Sequence, residues 1–356
     1  MTALTAARAE ALADGIQPFD ARLHLRQVAE LIAAVFANEL DANGRSAVQD
    51  KESIGRWSPL LGTILSTAFF TDYMAGYVWV QDGLVVGNVT VQRQENSDTR
   101  WRISNVAVAT GYRGRGIARR LMQATLREIA RRGGSWAVLQ VRVDNPTARH
   151  LYEKLGFGDV CRDGLWFAAT VPSLPLADPD GAGPPASAAF RLQPLVAVDW
   201  RARLDLAEAS RSPLAHWAEE LAPAGYRPGF IGLLRQAIGE LTGLVRVRRW
   251  GLWDPEHAGV LLADVEAIAN SMGEPHHLCL AARPAAPAAA IAALLGQGLG
   301  TLAALPRRGV LAEYSGEMAA PGRLLEANGF RPRRVLLTMR RFVTPADATM
   351  PVLGLD

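Results

Sequence analysis

Residues Val171–Ala189 read VPSLPLADPDGAGPPASAA, five prolines and two glycines in nineteen positions with no apolar period. Such a stretch suits neither a helix nor a central strand. Proline withholds the amide that both need, and glycine loses the most backbone freedom on ordering. It reads as a linker. It divides the 356-residue chain into 1–170 and 190–345, with 346–356 left as a tail, and both large portions are of ordinary domain size.

Apolar residues make up 49% of the chain and charged residues 21%, a composition that fills two cores and keeps a wet surface. The longest suspect apolar run, Pro59–Phe70, falls well short of the ~20 residues of a spanning helix. The leading residues Met1–Ile16 carry Glu10 and Asp14 where a signal peptide has an apolar centre. Cys161 and Cys279 are too far apart for a disulfide framework or a metal site of usual spacing. His276 and His277 are adjacent on an expected strand and so point to opposite faces, which excludes joint chelation. These features predict a cytoplasmic protein with no membrane segment and no metal. The net charge is only +3, and the clusters Arg131–Arg132 and Arg331–Arg334 are interrupted by Gly, Pro and apolar residues. A solvated surface is favoured there over a nucleic-acid patch.

Both halves show one order of elements. In the first, helices are expected over Leu23–Phe36 and Ser58–Met74. Strands follow over Gly76–Gln81 and Val85–Gln94, joined at Asp82-Gly83, a hairpin signal. A strand over Arg102–Ala109, a helix over Gly116–Arg131, a strand over Ser135–Val143 and a short helix over Thr147–Leu155 complete it. In the second, helices are expected over Ala202–Ala209, Phe230–Leu241, Pro287–Leu295 and Gly322–Ala327. Strands are expected over Leu244–Trp250, Ala258–Ala267, His276–Ala282 and Gly309–Tyr314. The repeated order suggests an internal duplication. Gly296–Gly300 reads as a loop ending a helix.

The chemistry-bearing segment is Ile103–Ile129, ISNVAVATGYRGRGIARRLMQATLREI. Its β-branched start is a strand, and Ala118, Leu121, Met122, Leu126 and Ile129 fall on one helical face. Between them lies Arg113-Gly114-Arg115-Gly116-Ile117-Ala118. A glycine turn feeding a helix N-terminus presents unbonded amides and the positive end of the helix dipole, a cradle for phosphate. No Lys-Ser/Thr follows, so it is not a Walker loop, and Arg119 stands where a dinucleotide fingerprint has its third glycine. After the next strand comes Asp144-Asn145-Pro146-Thr147-Ala148-Arg149-His150-Leu151-Tyr152-Glu153-Lys154-Leu155-Gly156-Phe157.

The R-G-x-G-x-A turn and the N-x-x-A-x-x-L-Y-E-K-L-G-F run, at this separation, resemble the cofactor motifs of the GNAT superfamily of CoA-dependent N-acetyltransferases. The resemblance implies an α/β fold of two GNAT-like domains, each a mixed, mostly antiparallel splayed sheet flanked by helices. It implies acetyl-CoA as cosubstrate, with Val106, Ala107 and Val108 pairing along the pantetheine arm. Arg113, Gly114, Arg115, Gly116, Ile117, Ala118 and Arg119 would hold the pyrophosphate, and Asn145 would contact the arm. Tyr152 would protonate the departing thiolate. Each position has a plainer reading. Tyr152 also fits a half-buried aromatic beside Ala148, Leu151 and Leu155, Asn145 fits a helix cap, and Arg113 and Arg115 fit solvent-facing turn residues.

An amine must lose a proton to attack. One branch of the family, the ribosomal-protein alanine acetyltransferases, has glutamate where this chain has Gln140. Asp144, Glu30, Glu39 and Asp41 remain as carboxylates, each also readable as a surface charge. In the second half, alignment places Ala286 and Ala288 opposite Gly114 and Gly116, with Pro287 between, Leu325 opposite Tyr152 and Met318 opposite Asn145. That half is expected to be a GNAT-like domain without a cofactor site. The function implied is direct acetyl transfer to a primary amine of a small molecule or peptide, without a covalent enzyme intermediate. The alternative is a non-catalytic acyl-CoA-binding sensor or scaffold. A tandem enzyme like the mycothiol synthases is disfavoured, because those keep the working site in the C-terminal half.

Overall fold

The computed structural model describes residues 13–36, 75–94, 97–174, 176, 192–218, 221, 223, 226–229, 237–243, 245–270, 275–303, 308–315 and 320–352. It contains two compact units. One comprises Met1–Gln140, His150–Gly158 and Arg340–Asp356, and the other Val141–Arg149 and Asp159–Met339. Each unit therefore includes residues from the far side of the Pro/Gly-rich stretch. Both are mixed α/β with mostly antiparallel strands.

In the first unit the strands β1 (Gly15–Pro18), β2 (Ala75–Gln81), β3 (Leu84–Arg93), β4 (Arg100–Val108) and β5 (Trp136–Arg142, of which the first five residues belong here) lie in that order. Only β4 and β5 run parallel. The β2–β3 turn passes through Asp82 (φ 52°) and Gly83 (φ 74°). Both central residues are left-handed, the primed geometry that matches strand twist and that Asp-Gly supplies. Helix α1 (Ala21–Val35) starts at Asp20, whose carboxylate accepts from the Arg22 amide at 2.7 Å. It buries Val28 and Leu31 against Val78, Val80, Val85 and Ala107.

Helix α2 (Ile117–Arg131) covers the opposite face and fully buries Leu121, Met122, Leu126 and Ile129. Each such side chain contributes about 1.5–3 kcal/mol by leaving water. Gly87 is required beneath it, since a Cβ there would stand 2.9 Å from Ile117 and 3.0 Å from Leu121. The chain's last described segment completes this unit. The Val343 amide donates to the Ser135 carbonyl at 2.8 Å, Phe342 meets Trp136 edge-on, and a 3₁₀ turn over Pro345–Thr349 packs on α2.

Helix α3 (Pro146–Lys154) is divided between the units after Arg149. The second unit adds β6 (Gly158–Ala168, from Asp159 onward), β7 (Leu192–Pro194), α4 (Trp200–Ala209), α5 (Pro213–Ala218), β8 (Val245–Trp253), β9 (Leu261–Asn270), β10 (His276–Ala282), α6 (Ala288–Ala303), β11 (Val310–Ser315), α7 (Ala320–Ala327) and β12 (Arg331–Phe342, as far as Met339). The strand order is β12-β6-β11-β10-β9-β8-β7. Strand β6, from before the linker, pairs antiparallel with β11, from after it, over Asp163–Ala168 and Val310–Ser315. His276 is fully buried and His277 half-buried, as alternation along β10 requires.

Two sequence expectations need correction. Gly296–Gly300 lies inside α6, not in a loop at its end. The helix tolerates its glycines because it sits close to the sheet: a Cβ on Gly298 would stand 2.9 Å from Leu278 and 3.0 Å from Val265. Strands β1, β6, β7 and β12 were not expected at all. The expected Ser58–Met74 helix lies outside the described residues, and of Phe230–Leu241 only residues from 237 onward are described, as helix.

Candidate active site

The strand that the sequence singles out, β4, is irregular on both edges. Toward β3 the register pairs Ala107 with Asn88 and Ser104 with Thr90, so Asn105 and Val106 together oppose Val89. This is a β-bulge, and Asn105 takes a left-handed φ of 53° to form it. Toward β5 the parallel ladder joins Arg100–Ile103 to Trp136–Leu139 and stops there. The stretch Ser104–Val108 therefore offers backbone amides and carbonyls that β5 does not engage. It includes Val106, Ala107 and Val108, the three positions expected to meet the cofactor arm.

The turn after β4 leads into α2. Gly114 and Gly116 have φ of 78° and 77°, a region that other residues enter only with strain. Nothing lies within 4 Å of where a Cβ would stand on either glycine. Gly116 is the helix cap and makes no side-chain cap bond, and the first intrahelical bond is Arg120 N–H to Gly116 at 3.1 Å. The amides of Ile117, Ala118 and Arg119 precede that bond, so helix geometry alone leaves them without an acceptor. The Ile117 side chain is buried beneath the helix, which leaves its amide as the only part able to face an anion. The arginines of the turn have local partners. Arg113 donates through Nε to the Val108 carbonyl at 3.2 Å, and Arg115 donates to Gly111 at 3.2 Å with its guanidinium 5.0 Å from the centre of the Tyr112 ring. Both remain exposed.

Tyr152 is the one buried residue of α3. Its ring lies 6.0 Å from that of Phe157, and burial pushes its hydroxyl up to about 12. Asn145 belongs to the second unit, where its side-chain oxygen accepts from the Ala148 amide at 3.0 Å as the cap of α3. The cap reading of Asn145 is therefore met, and its amide group stays exposed.

Residues 47–157 match the family model described as Acetyltransferase (GNAT) family. A curated relative, N-alpha-acetyltransferase 30 of Schizosaccharomyces pombe, is 36% identical over 83 residues, 23% of this chain and 55% of that protein. The match thus spans about half the length of that relative. The fold resembles a GCN5-related N-acetyltransferase from Sphaerobacter thermophilus, with TM-score 0.54 and 16% identity over 94% of this chain and 98% of the other. It also resembles a tandem GNAT protein from the clavulanic acid biosynthesis pathway, with TM-score 0.50 and 15% identity over 93% and 98%. Residues 47–157 match a GNAT domain.

The carboxylates considered as bases separate. Asp144 is clamped by Arg142 through bonds of 2.8 and 2.6 Å, and that hydrogen bond above all holds its carboxyl below the usual range. A carboxylate so stabilised is a weaker proton acceptor. Glu30 is exposed on α1 and paired with Arg26 at 3.0 Å. Glu39 and Asp41 lie outside the described residues. Sequence reasoning also passed over Asn88 and Thr90, which are buried on β3 beside the bulge. The signal for them was there: two polar residues in the otherwise apolar strand run LVVGNVTV.

Proposed function

We propose that this chain moves an acetyl group from acetyl-CoA to a primary amine by direct transfer, and that a peptide α-amine is the first acceptor class to test. The reading is carried by one juxtaposition. A strand edge freed from its parallel neighbour, Ser104–Val108, runs directly into a turn whose glycines leave open space before the unbonded amides of α2. The matched family and the relative named as an N-alpha-acetyltransferase support it.

These residues fit a CoA-type ligand. The amides of Gly114–Arg119 would hold the pyrophosphate with help from the helix dipole, and Val106–Val108 would pair with an extended amide-bearing arm. Bound acetyl-CoA supplies the activated carbonyl. Tyr152, like any tyrosine, keeps its proton through the neutral range, and its hydroxyl would donate that proton to a departing thiolate. The second half, 190–345, would be a GNAT-like domain without a cofactor site. Its counterpart ladder between β10 and β11 runs from His276 to Leu280 with only Ala281 and Ala282 beyond, and Pro287 precedes α6 where the first unit has a glycine turn.

Following free thiol release from acetyl-CoA with a panel of peptides and small amines tests the reading. Turnover with any member supports it. Tight CoA binding with no turnover across the panel favours the second reading, a sensor or scaffold, whose support is the absence of a glutamate at Gln140.

A further inference from the structure

Asn88 is 1% exposed on a valine-rich strand, between Gly87 and Val89. A buried amide weakens such a strand unless its hydrogen bonds are used. Here they are used at one place, the β4 bulge. The side-chain amide of Asn88 donates to the Asn105 carbonyl at 2.9 Å, and the Asn105 side-chain amide donates to the Thr90 hydroxyl at 3.4 Å. The bulge takes Asn105 out of the regular β3–β4 register, and a bulge leaves its extra residue outside the ladder. Asn88 supplies a donor to that residue's carbonyl. Asparagine is also among the few side chains that tolerate the left-handed φ of position 105.

The second unit provides a control within the same chain. Aligning Asn105–Val108 with His277–Leu280 places Ala107 on Cys279, whose partner on β9 is Glu266, so Glu266 stands where Asn88 stands in the first unit. Glu266 is held instead by Arg203 at 3.0 Å and by Arg249. There the β9–β10 ladder runs from His277 to Ala282 without a register shift, and β10 stays paired with β11. One strand has the asparagine pair, the bulge and the early parting, and its counterpart has none of the three.

We propose that Asn88 is a positioning residue: by pinning the Asn105 carbonyl it holds the β4 bulge that frees Ser104–Val108 to receive the pantetheine arm of CoA. This rests on the acetyl-CoA reading above. The test compares two probes by calorimetry. CoA engages both the strand edge and the phosphate turn, whereas 3′,5′-ADP lacks the arm and reports the turn alone. Asn88→Val should weaken CoA binding by on the order of tenfold or more, as expected when a buried carbonyl loses its donor, and leave 3′,5′-ADP binding unchanged. Asn105→Val, whose branched side chain disfavours the left-handed φ, should give the same selective loss, and Asn105→Gly should restore CoA affinity. If Asn88→Val does not fold, the Asn105 pair decides. Equal losses for both probes, or no loss for either, overturn the proposal. Wild-type protein that binds neither probe overturns the acetyl-CoA reading itself, and this inference with it.

Discussion

One oxygen of the Asp347 carboxylate accepts a hydrogen bond from the guanidinium of Arg341, and the other accepts from the Thr344 amide at 2.8 Å and hydroxyl at 3.0 Å. Asp347 is 3% exposed, and Arg341 lies against Gly156, the left-handed turn that closes the helix bearing Tyr152. The C-terminal segment is therefore part of the first unit.

Asp347→Ala should destabilise that unit severely. It leaves the largely buried Arg341 without its counter-charge and removes the cap of the 3₁₀ turn that packs on α2. Removing one partner of a buried pair costs about 3–5 kcal/mol, which lowers the melting temperature of a unit this size by on the order of ten degrees. Differential scanning calorimetry reads it directly. An unchanged melting profile would mean that the segment docks without supporting the unit.

Gly116 separates conformational strain from occlusion of the phosphate turn. Valine at a φ of 77° is strained whatever the ligand does, so Gly116→Val should lower both stability and CoA affinity. Gly116→Asn tolerates that φ yet places a side chain in the open space before the α2 amides. It should keep the melting temperature within a few degrees and weaken CoA by about tenfold or more. Ala288→Val, at the corresponding place in the second half, should leave affinity unchanged, with one CoA bound per chain. Two equivalent sites by calorimetry would contradict a single working cradle.

Much of the local geometry around the candidate site was legible in the sequence because its signals are local. Asp82-Gly83 specifies left-handed turn residues, the α2 apolar face repeats at helical spacing, and Gly114 and Gly116 mark the left-handed turn before that helix. Strands β6 and β12 escaped because their buried faces are short. Most of Gly158–Arg162 and Arg331–Arg334 is polar and partly or fully exposed, and alternation is clear only toward the far end of each strand. Their pairing partners are also remote, as with Asp163–Ala168 on Val310–Ser315, and no window of sequence reports that. Asn88 carried a visible anomaly, a polar residue in an apolar strand. Its meaning depended on Asn105, seventeen residues away.

Alkaline titration should reveal the burial of Tyr152. An acid whose folded value is raised favours its protonated form in the native state. Its contribution is therefore complete below the unfolded value of about 10. It is lost as pH rises from about 10 toward the folded value of about 12. A shift of this size amounts to roughly 3 kcal/mol at the alkaline end. Denaturant unfolding at a series of pH values should show stability falling across that window, and Tyr152→Phe should flatten the fall. Identical slopes for the two proteins would place the tyrosine in a wetter setting.

The same substitution tests the role of Tyr152 in transfer. Tyr152→Phe keeps the ring that packs against Phe157 and removes only the hydroxyl. No described residue hydrogen-bonds that hydroxyl, so its loss leaves no protein group unsatisfied among the described residues. Stability near neutral pH should stay close to the parent, and so should CoA affinity. If the hydroxyl protonates the departing thiolate, kcat should fall by about 10²–10⁴-fold, the usual worth of a positioned general acid. Tyr152→Ala is the contrasting variant: it removes the ring and should cost about 3–5 kcal/mol of stability, whatever the hydroxyl does. Both are measured on an amine that the thiol-release panel has shown to turn over. Full turnover by the phenylalanine variant would remove Tyr152 from the chemistry, leave it as a packing residue of α3, and give the leaving thiolate its proton from water.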